Sequence, residues 1–185
     1  MDALSDGDIM AQVRDGDLDK LGILFERHHA RLYTYCLRMT GDPETSRDLV
    51  QDVFFRMLKY RHTYRDGGSF LAWFYRLARN AGVDHFRATG REVAVEGAGE
   101  DAVDPEPAAL EEVSRRQEAR LLFRALSALP ADKREVLVMA RFGSLGYPEI
   151  AEALGTSVGA VRVRVHRALK ELRRVYLSME QEAAS

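Results

Sequence analysis

The stretch YPEIAEALGTSVGAVRVRVHRALKEL, residues 147 to 172, decides the fold of the C-terminal part of the chain. In its first half, Ile150, Ala151 and Leu154 share one face of a short helix. Gly155 follows this helix and permits a tight turn. A second helical pattern begins directly after the turn. This layout predicts a helix-turn-helix.

The second helix of this stretch has two contrasting faces, and Ser157 is placed to cap it. Its apolar side chains fall within about 100° of arc and predict a buried stripe of Val161, Val165, Ala168, Leu169 and Leu172. The far side suits the major groove of DNA because it carries long cations. A basic helix that faces only solvent is the alternative, and the preceding turn favours DNA. This outward face comprises Val163, His166, Arg167, Lys170 and Arg174, with Arg162 at its margin.

The formal net charge of −2 conceals two basic blocks separated by an acidic one. Residues 24–91 contain twelve Lys and Arg against seven Asp and Glu, and residues 113–176 contain thirteen against six. Residues 92–112 contain eight acids and no Lys or Arg. Basic blocks are usually solvated helix surfaces, but two of them in a chain of balanced charge indicate domains that face a polyanion.

The acidic block also lacks any helical period and is rich in Gly, Pro and small residues. It predicts a flexible linker over residues 92–112, with a root-mean-square span of about 25 Å for twenty residues. Two small domains are therefore expected, at residues 1–91 and 113–185. Helical periods fill both, so the chain is predicted to be all-α. The expected helices cover residues 5–14, 18–40, 43–60, 70–87, 110–129, 132–142, 147–154 and 158–179. The second helix is expected to have a core stripe of Leu21, Leu24, Phe25, His28, Leu32, Tyr35 and Met39 on one face.

Several classes of protein are disfavoured by what the sequence lacks. No apolar run approaches the length of a membrane span, and the acidic N-terminus does not resemble a secretory signal. We therefore expect a cytoplasmic protein without membrane insertion. Cys36 is the only cysteine, which excludes an internal disulfide and favours a small buried side chain over a reactive thiol.

Catalysis is not expected either. The five histidines show no ligand spacing such as H-E-x-x-H, and neither a phosphate-binding glycine loop nor a nucleophile elbow is present. The sequence accordingly predicts no enzyme, no metal and no cofactor.

The helix-turn-helix and the segment before it resemble the promoter-reading region of bacterial sigma factors of the sigma-70 family, in the extracytoplasmic-function (ECF) group. The resemblance is carried by Leu129-Pro130, Glu149-Ile150-Ala151 and the run from Val158 to Arg164. Ala160 and Val163 replace a threonine and a serine that are usual in the family. The resemblance implies that this domain reads the upstream, −35 promoter element. Its predicted contacts are Arg162, Val163, Arg164, His166, Arg167 and Lys170.

A second match lies at GDPETSRDLVQDVFFRMLKY, residues 41–60. Taken alone, this is an ordinary amphipathic helix with a polar stripe at Asp48, Gln51, Asp52 and Arg56. In sigma factors the similar helix binds a coiled coil of the largest RNA polymerase subunit. The resemblance implies the same role for Asp48, Gln51, Asp52 and Leu58.

A third match, FLAWFYRLARNAGVDHFRA at residues 70–88, places an aromatic ring and cations on one stripe. Stacking surface and guanidinium groups are what unpaired DNA requires, although Trp73 taken alone is more typical of a core. In the family this segment opens and holds the downstream, −10 element, and the loop around Tyr64 receives a flipped base. The residues so implied are Tyr64, Arg65, Trp73, Arg76, Arg79, Asn80 and Arg87.

Three motifs in the family's order imply a sigma factor that directs RNA polymerase core enzyme to promoters. The implied partners are the core enzyme, promoter DNA both duplex and melted, and an anti-sigma factor, which commonly inhibits family members. The alternative is a transcription regulator that binds an operator with its helix-turn-helix and senses a ligand with its N-terminal domain. A ligand-sensing domain would not require both the helix that includes Asp48 and Leu58 and the stripe that combines Trp73 with cations.

Overall fold

The computed structural model describes residues 4–89 and 110–183. Eight α-helices and two short 3-10 turns form the regular structure of this part of the chain, which contains no strand. The all-α prediction is therefore confirmed. The predicted linker, residues 92–112, lies mostly outside the described residues, and its last three positions belong to a helix that starts at Leu110.

The N-terminal domain contains four helices, and their ends follow local sequence chemistry. Ser5 and Asp8 form the expected capping box, and Asp42 caps the third helix by accepting the Thr45 N–H. Gly41 ends the second helix with φ of 73°, a left-handed conformation that glycine adopts without strain. The four helices are α1 (Asp6–Arg14), α2 (Leu21–Thr40), α3 (Pro43–Lys59) and α4 (Phe70–Thr89).

Two details of this domain differ from the sequence prediction. The predicted second helix, 18–40, is divided, because Leu18–Lys20 forms a 3-10 turn before α2 begins. Phe25, expected in the core stripe of α2, is half-exposed and stacks on His29 with ring centroids 4.9 Å apart. Four residues of that stripe are buried as expected, namely Leu24, His28, Leu32 and Tyr35, whereas Leu21 and Met39 are half-buried.

Hydrogen bonds between Asp6 and two residues of α2 hold α1 against α2. His28 is buried, and its Nε2 lies 2.8 Å from Oδ2 of Asp6. Arg27 donates to the other oxygen of Asp6 at 2.7 Å. Burial raises the pKa of Asp6, but the hydrogen bond from Arg27 and the charge of His28 outweigh it and leave this pKa below its usual value.

The C-terminal domain also contains four helices and has the predicted helix-turn-helix. Gly155 forms the turn with φ of 63°, and Ser157 Oγ accepts the Ala160 N–H at 3.1 Å. Val161, Val165 and Ala168 are buried, but Leu169 is 52% exposed. Leu169 was wrongly placed in the buried stripe, since it turns toward a groove beside Leu122. The helices are α5 (Leu110–Ser127), α6 (Ala131–Phe142), α7 (Tyr147–Leu154) and α8 (Val158–Ala183).

The two domains pack together, with α2 against α6 and α4 against α7. Arg134 of α6 is 2% exposed at this boundary. Its guanidinium donates to the carbonyl of Met39 at 3.0 Å and to the carbonyls of Ser127 and Leu129. A charge buried this deeply is tolerated because carbonyl oxygens accept its hydrogen bonds. Arg134 therefore ties the end of α2 to the α5–α6 turn.

Further contacts cross the boundary at its edges. Arg79 of α4 lies 3.0 Å from Glu135 of α6, and Ser69 donates to Glu149 of α7 at 2.9 Å. The guanidinium of Arg38 lies over the Phe142 ring at 4.8 Å. These contacts between the domains were not predicted from the sequence, which indicated two separate modules.

Cys36 lies on α2 and is buried, as expected for a small core side chain. Burial raises the pKa of its thiol to about 12. It is thus part of the apolar packing beneath the domain boundary.

Candidate nucleic-acid and polymerase interfaces

The first three turns of α8 present a continuous exposed face, here called the α8 outer face. All six predicted upstream-element residues lie exposed on it: Arg162, Val163, Arg164, His166, Arg167 and Lys170. No acid occurs between Val158 and Lys170. Because Val161, Val165 and Ala168 are packed in the core, the helix is fixed with its cations toward solvent. This arrangement fits the polyanionic major groove.

The two unusual residues of this helix have different surroundings. Ala160 is half-buried, and its N–H is already engaged by Ser157. Val163 is 48% exposed in the middle of the α8 outer face. It offers apolar surface where the family usually has a hydroxyl, and such surface can contact a thymine methyl group.

A polar groove with a volume of about 810 Å³ runs beside α4 and is here called the α4 groove. It brings together five of the seven predicted downstream-element residues, namely Trp73, Arg76, Arg79, Asn80 and Arg87. Arg56, Tyr60, Thr63 and Asp84 also line it and were not predicted for this role. The groove is lined by four arginines and one aspartate, so its charged side chains sum to a positive charge that suits phosphate groups.

The aromatic residues expected to stack on DNA are not exposed. Trp73 and Tyr64 are each 4% exposed, and their rings meet edge to face at 5.4 Å. The indole Nε1 donates to Thr63 Oγ1 at 3.1 Å, and the Tyr64 hydroxyl donates to the Gly68 carbonyl at 3.3 Å. Their large apolar area and satisfied polar atoms place them in the core, so neither presents a ring face to a base. Arg65 is exposed on the same loop but does not line the groove.

The predicted polymerase-binding residues lie along α3 and are here called the α3 stripe. Asp48 and Gln51 are exposed, whereas Asp52 and Leu58 are half-buried. Asp52 accepts a hydrogen bond from Arg56 Nε at 2.9 Å, and Arg56 also donates to Asp84 of α4 at 2.7 Å. The stripe is therefore linked to the wall of the α4 groove by one arginine.

Phe55 is a surface residue of α3 that was not predicted from the sequence. It is 63% exposed, between Gln51 and Leu58 on the same side of α3. Its position four residues after Gln51 is the sequence feature that could have indicated it. An exposed phenylalanine amid polar residues gives the α3 stripe apolar contact area.

Metal sites and membrane spans are absent from the part of the chain that the structure describes. Residues 4–89 and 110–183 contain no group of three or more His, Cys, Asp or Glu side chains placed to hold a metal ion. Within the same ranges, no helix is both long and apolar enough to cross a membrane.

Comparison with known families matches one sigma-factor region to each domain. The "Sigma-70 region 2" model matches residues 24–92, and the "Sigma-70, region 4" model matches residues 119–172. The first match contains the α3 stripe and the α4 groove, and the second contains the helix-turn-helix.

Individual relatives agree with these matches. RNA polymerase sigma factor CarQ of Myxococcus xanthus is 33% identical over 95% of this chain and 99% of its own length. The ECF RNA polymerase sigma factor SigL of Mycobacterium tuberculosis is 31% identical over 81% of this chain and 85% of its own.

Solved structures show the same fold. The structure of CnrH in complex with the cytosolic domain of CnrY matches with a TM-score of 0.70 and 26% identity, and covers 97% of this chain and 99% of that one. The sigma factor RpoE of Bartonella quintana, solved with the anti-sigma factor NepR, gives a TM-score of 0.65 at 22% identity over 83% of this chain and 94% of that one.

These findings favour a sigma factor over a regulator that acts on an operator without polymerase. Sequence matches extend over both domains, and relatives that align along nearly the whole chain are RNA polymerase sigma factors. The chain belongs to the ECF group of the sigma-70 family, the sigma factors that direct RNA polymerase core enzyme to promoters for transcription initiation.

Proposed function

We propose that the two domains divide promoter recognition between them. The C-terminal domain reads the −35 element as duplex, and the N-terminal domain melts and holds the −10 element while α3 binds the polymerase. The observation that carries this proposal is the pairing, in one sigma factor, of an acid-free cationic helix face with an arginine-lined groove.

The −35 element is read by the α8 outer face in the major groove. Arg167 and Lys170 have the length and charge to reach guanine O6 and N7. Val163 reads a thymine methyl group in place of the hydrogen bond that a serine would make, so the preferred upstream sequence differs from that of relatives with serine. Arg162 and Arg164 contact flanking phosphates, which position the helix without specifying sequence.

The −10 element is held as a single strand in the α4 groove. Arg76 and Arg87 are exposed and supply charge for phosphates, while the amide of Asn80 can both donate to and accept from a base edge. Arg65, on the loop before α4, is placed to contact the same strand outside the groove.

The α3 stripe provides the polymerase contact. Asp48, Gln51 and Asp52 offer carboxylate and amide groups for cations of a partner helix, and Leu58 and Phe55 offer apolar area. Interfaces of this kind combine a desolvated apolar centre with polar groups at the rim. Chemistry on the nucleic acid is carried out by the polymerase, and this chain acts in the cytoplasm as a non-catalytic factor.

Promoter binding requires the two domains to separate. The −35 and −10 elements lie about 25 base pairs apart, which corresponds to about 85 Å of duplex. Arg79, one of the groove residues, is occupied by Glu135 of the other domain at 3.0 Å. Opening the boundary releases Arg79 and lets each domain reach its own element.

An anti-sigma factor is the proposed inhibitor. Both structural neighbours described above were solved in complexes, and one of the partners is an anti-sigma factor. A partner of this kind would keep the α3 stripe and the DNA-binding surfaces from their targets.

Run-off transcription tests the proposed function. Purified chain is added to core polymerase with templates selected by mapping transcription starts after overexpression. We expect promoter-dependent transcripts that disappear when either element is scrambled. Transcription that stays at the level of core enzyme alone would overturn the proposal, and binding of an operator without polymerase would support the alternative regulator.

A further inference from the structure

We propose that Tyr60 is the residue of the α4 groove that stacks on an unpaired base, and that Trp73 acts by positioning it. The inference rests on the proposed role of the groove in holding single-stranded DNA. It replaces the expectation that Trp73 itself provides the stacking surface.

Exposure separates the two aromatic residues that line the groove. Trp73 is 4% exposed, whereas Tyr60 is 37% exposed. Proteins that hold single strands combine cations for the backbone with aromatic rings on which bases stack. The groove has the cations, and Tyr60 is its lining residue with accessible aromatic surface.

The backbone of Tyr60 is firmly held although its ring is accessible. Tyr60 ends α3, and its N–H donates to the carbonyl of Arg56 at 2.8 Å. Its own carbonyl accepts the Thr63 N–H at 2.9 Å and the Thr63 hydroxyl at 2.7 Å. A rigid backbone that presents an accessible ring loses little entropy when a base stacks on it.

Trp73 is connected to Tyr60 through one hydroxyl. Thr63 Oγ1 accepts from the indole Nε1 of Trp73 at 3.1 Å and donates to the Tyr60 carbonyl at 2.7 Å. The buried indole thereby fixes Thr63, and Thr63 fixes the turn that carries Tyr60. Trp73 contributes to DNA binding through this chain of hydrogen bonds while remaining in the core.

Charges around the ring suit a stacked nucleotide. Nζ of Lys59 lies 5.3 Å from the centroid of the Tyr60 ring. Arg76 and Arg87 line the same groove. A base stacked on Tyr60 therefore has cations nearby for its flanking phosphates.

The test measures the affinity of holoenzyme, assembled from core polymerase and the full chain, for promoter DNA with a preformed bubble over the −10 element. The bubble removes the cost of melting. Base stacking on an aromatic side chain contributes about 1–3 kcal/mol, so Tyr60→Ala should weaken binding about 5- to 150-fold. Tyr60→Leu should weaken it similarly, and Tyr60→Phe should bind within about 2-fold of the wild type because it keeps the ring.

His62→Ala is the matched control, because His62 is exposed on the same turn but does not line the groove. It should leave bubble affinity unchanged, and all four variants should keep wild-type affinity for core polymerase. Wild-type affinity of both Tyr60→Ala and Tyr60→Leu would overturn the proposal. So would an equal loss in Tyr60→Phe, since stacking could not then be the cause. If wild-type holoenzyme does not prefer the bubble to duplex DNA, the proposed function of the groove fails instead.

A double-mutant cycle tests the positioning role of Trp73. Trp73→Phe keeps an aromatic ring but removes the donor to Thr63, and Thr63→Val removes the shared hydroxyl. Each should weaken bubble binding in the wild-type background and have no further effect in Tyr60→Ala. Effects of the same size in both backgrounds would show that Trp73 acts independently of Tyr60, and would overturn this part of the proposal.

Discussion

The α8 outer face and the α4 groove both gather cations for DNA, but they are constructed differently. The face is one side of a single helix, and its residues follow from the helical period. The groove combines the end of α3, the following turn and α4, so its residues come from separate stretches of sequence. Loss of one cation from a surface on one helix leaves the other residues of that surface in place, whereas a groove built from three segments depends on the contacts that hold the segments together.

The largest expected effect concerns a residue that connects the groove with the polymerase. Asp52→Arg places a cation in the α3 stripe and removes the carboxylate that binds Arg56. We expect binding to core polymerase to fall at least about 30-fold, because a like charge at an interface costs several kcal/mol. Copurification with core enzyme measures the loss.

Glu26→Arg is the control for this change, since it introduces the same charge at an exposed position of α2, outside the α3 stripe. It should retain polymerase binding. If Asp52→Arg fully retains polymerase binding, Asp52 is not part of the polymerase contact. The proposed link between the α4 groove and the polymerase would then be wrong.

Loss of one guanidinium from the α8 outer face should weaken binding of the upstream element without abolishing it. Arg167→Ala is expected to weaken upstream-element binding by about 1–3 kcal/mol and to relax sequence preference there, if its contact with guanine is bidentate. Footprinting of holoenzyme on matched and mismatched −35 elements measures both effects.

Arg174→Ala serves for comparison, because Arg174 lies further along α8 and is paired with Glu171 at 2.7 Å. Its removal should leave sequence preference unchanged. An upstream footprint that is identical in wild type and Arg167→Ala would show that the face reads DNA through other residues.

A smaller effect is expected at the boundary between the domains. Glu135→Lys replaces the ion pair with Arg79 by two like charges, at a partly exposed site where one charge pair contributes about 0.2–1 kcal/mol. The closed arrangement becomes less stable, and because promoter binding requires the domains to separate, association of the chain and core polymerase with promoter DNA should be about 1.5- to 5-fold faster. Stopped-flow kinetics on promoter DNA measure the rate, with Glu180→Lys, near the end of α8, as the control. Slower association would mean that the boundary promotes promoter binding.

The smallest effect concerns how the stability of the N-terminal domain depends on pH. The pKa of Asp6 is lowered in the folded chain, so its ionised form stabilises the N-terminal domain above the pKa of the unfolded state. This contribution is lost as pH falls below about 4 and through the lowered value. Thermal unfolding at pH 7 and pH 3 should show a weaker pH dependence for Asp6→Asn than for the wild type. If the unfolding temperature changes equally between pH 7 and pH 3 in both proteins, Asp6 does not contribute to the pH dependence of stability.

What could be predicted from the sequence was mainly local. The capping box at Ser5, the cap at Asp42 and the turns at Gly41 and Gly155 each depend on a few neighbouring residues, and the structure has all of them. The exposed cations of α8 followed from one helical period.

Most features that could not be predicted from the sequence depend on contacts between distant segments of the chain. A helical period could not show that Leu169 turns toward α5, because that requires knowing where α5 lies. Tyr60 was overlooked because it ends a helix, where periodicity no longer indicates exposure. Arg79 and Glu135 are 56 residues apart, and their pairing depends on how two domains meet.

The buried position of Cys36 has a consequence for how the protein can be controlled. Oxidants and disulfides react with the thiolate, and with a pKa of about 12 only about one thiol in 100,000 is ionised at pH 7. Cys36 is also the only cysteine in the sequence. The thiol of Cys36 is therefore a poor sensor of oxidative stress in the folded chain, and a redox signal that acts through a thiol has to be received by a partner.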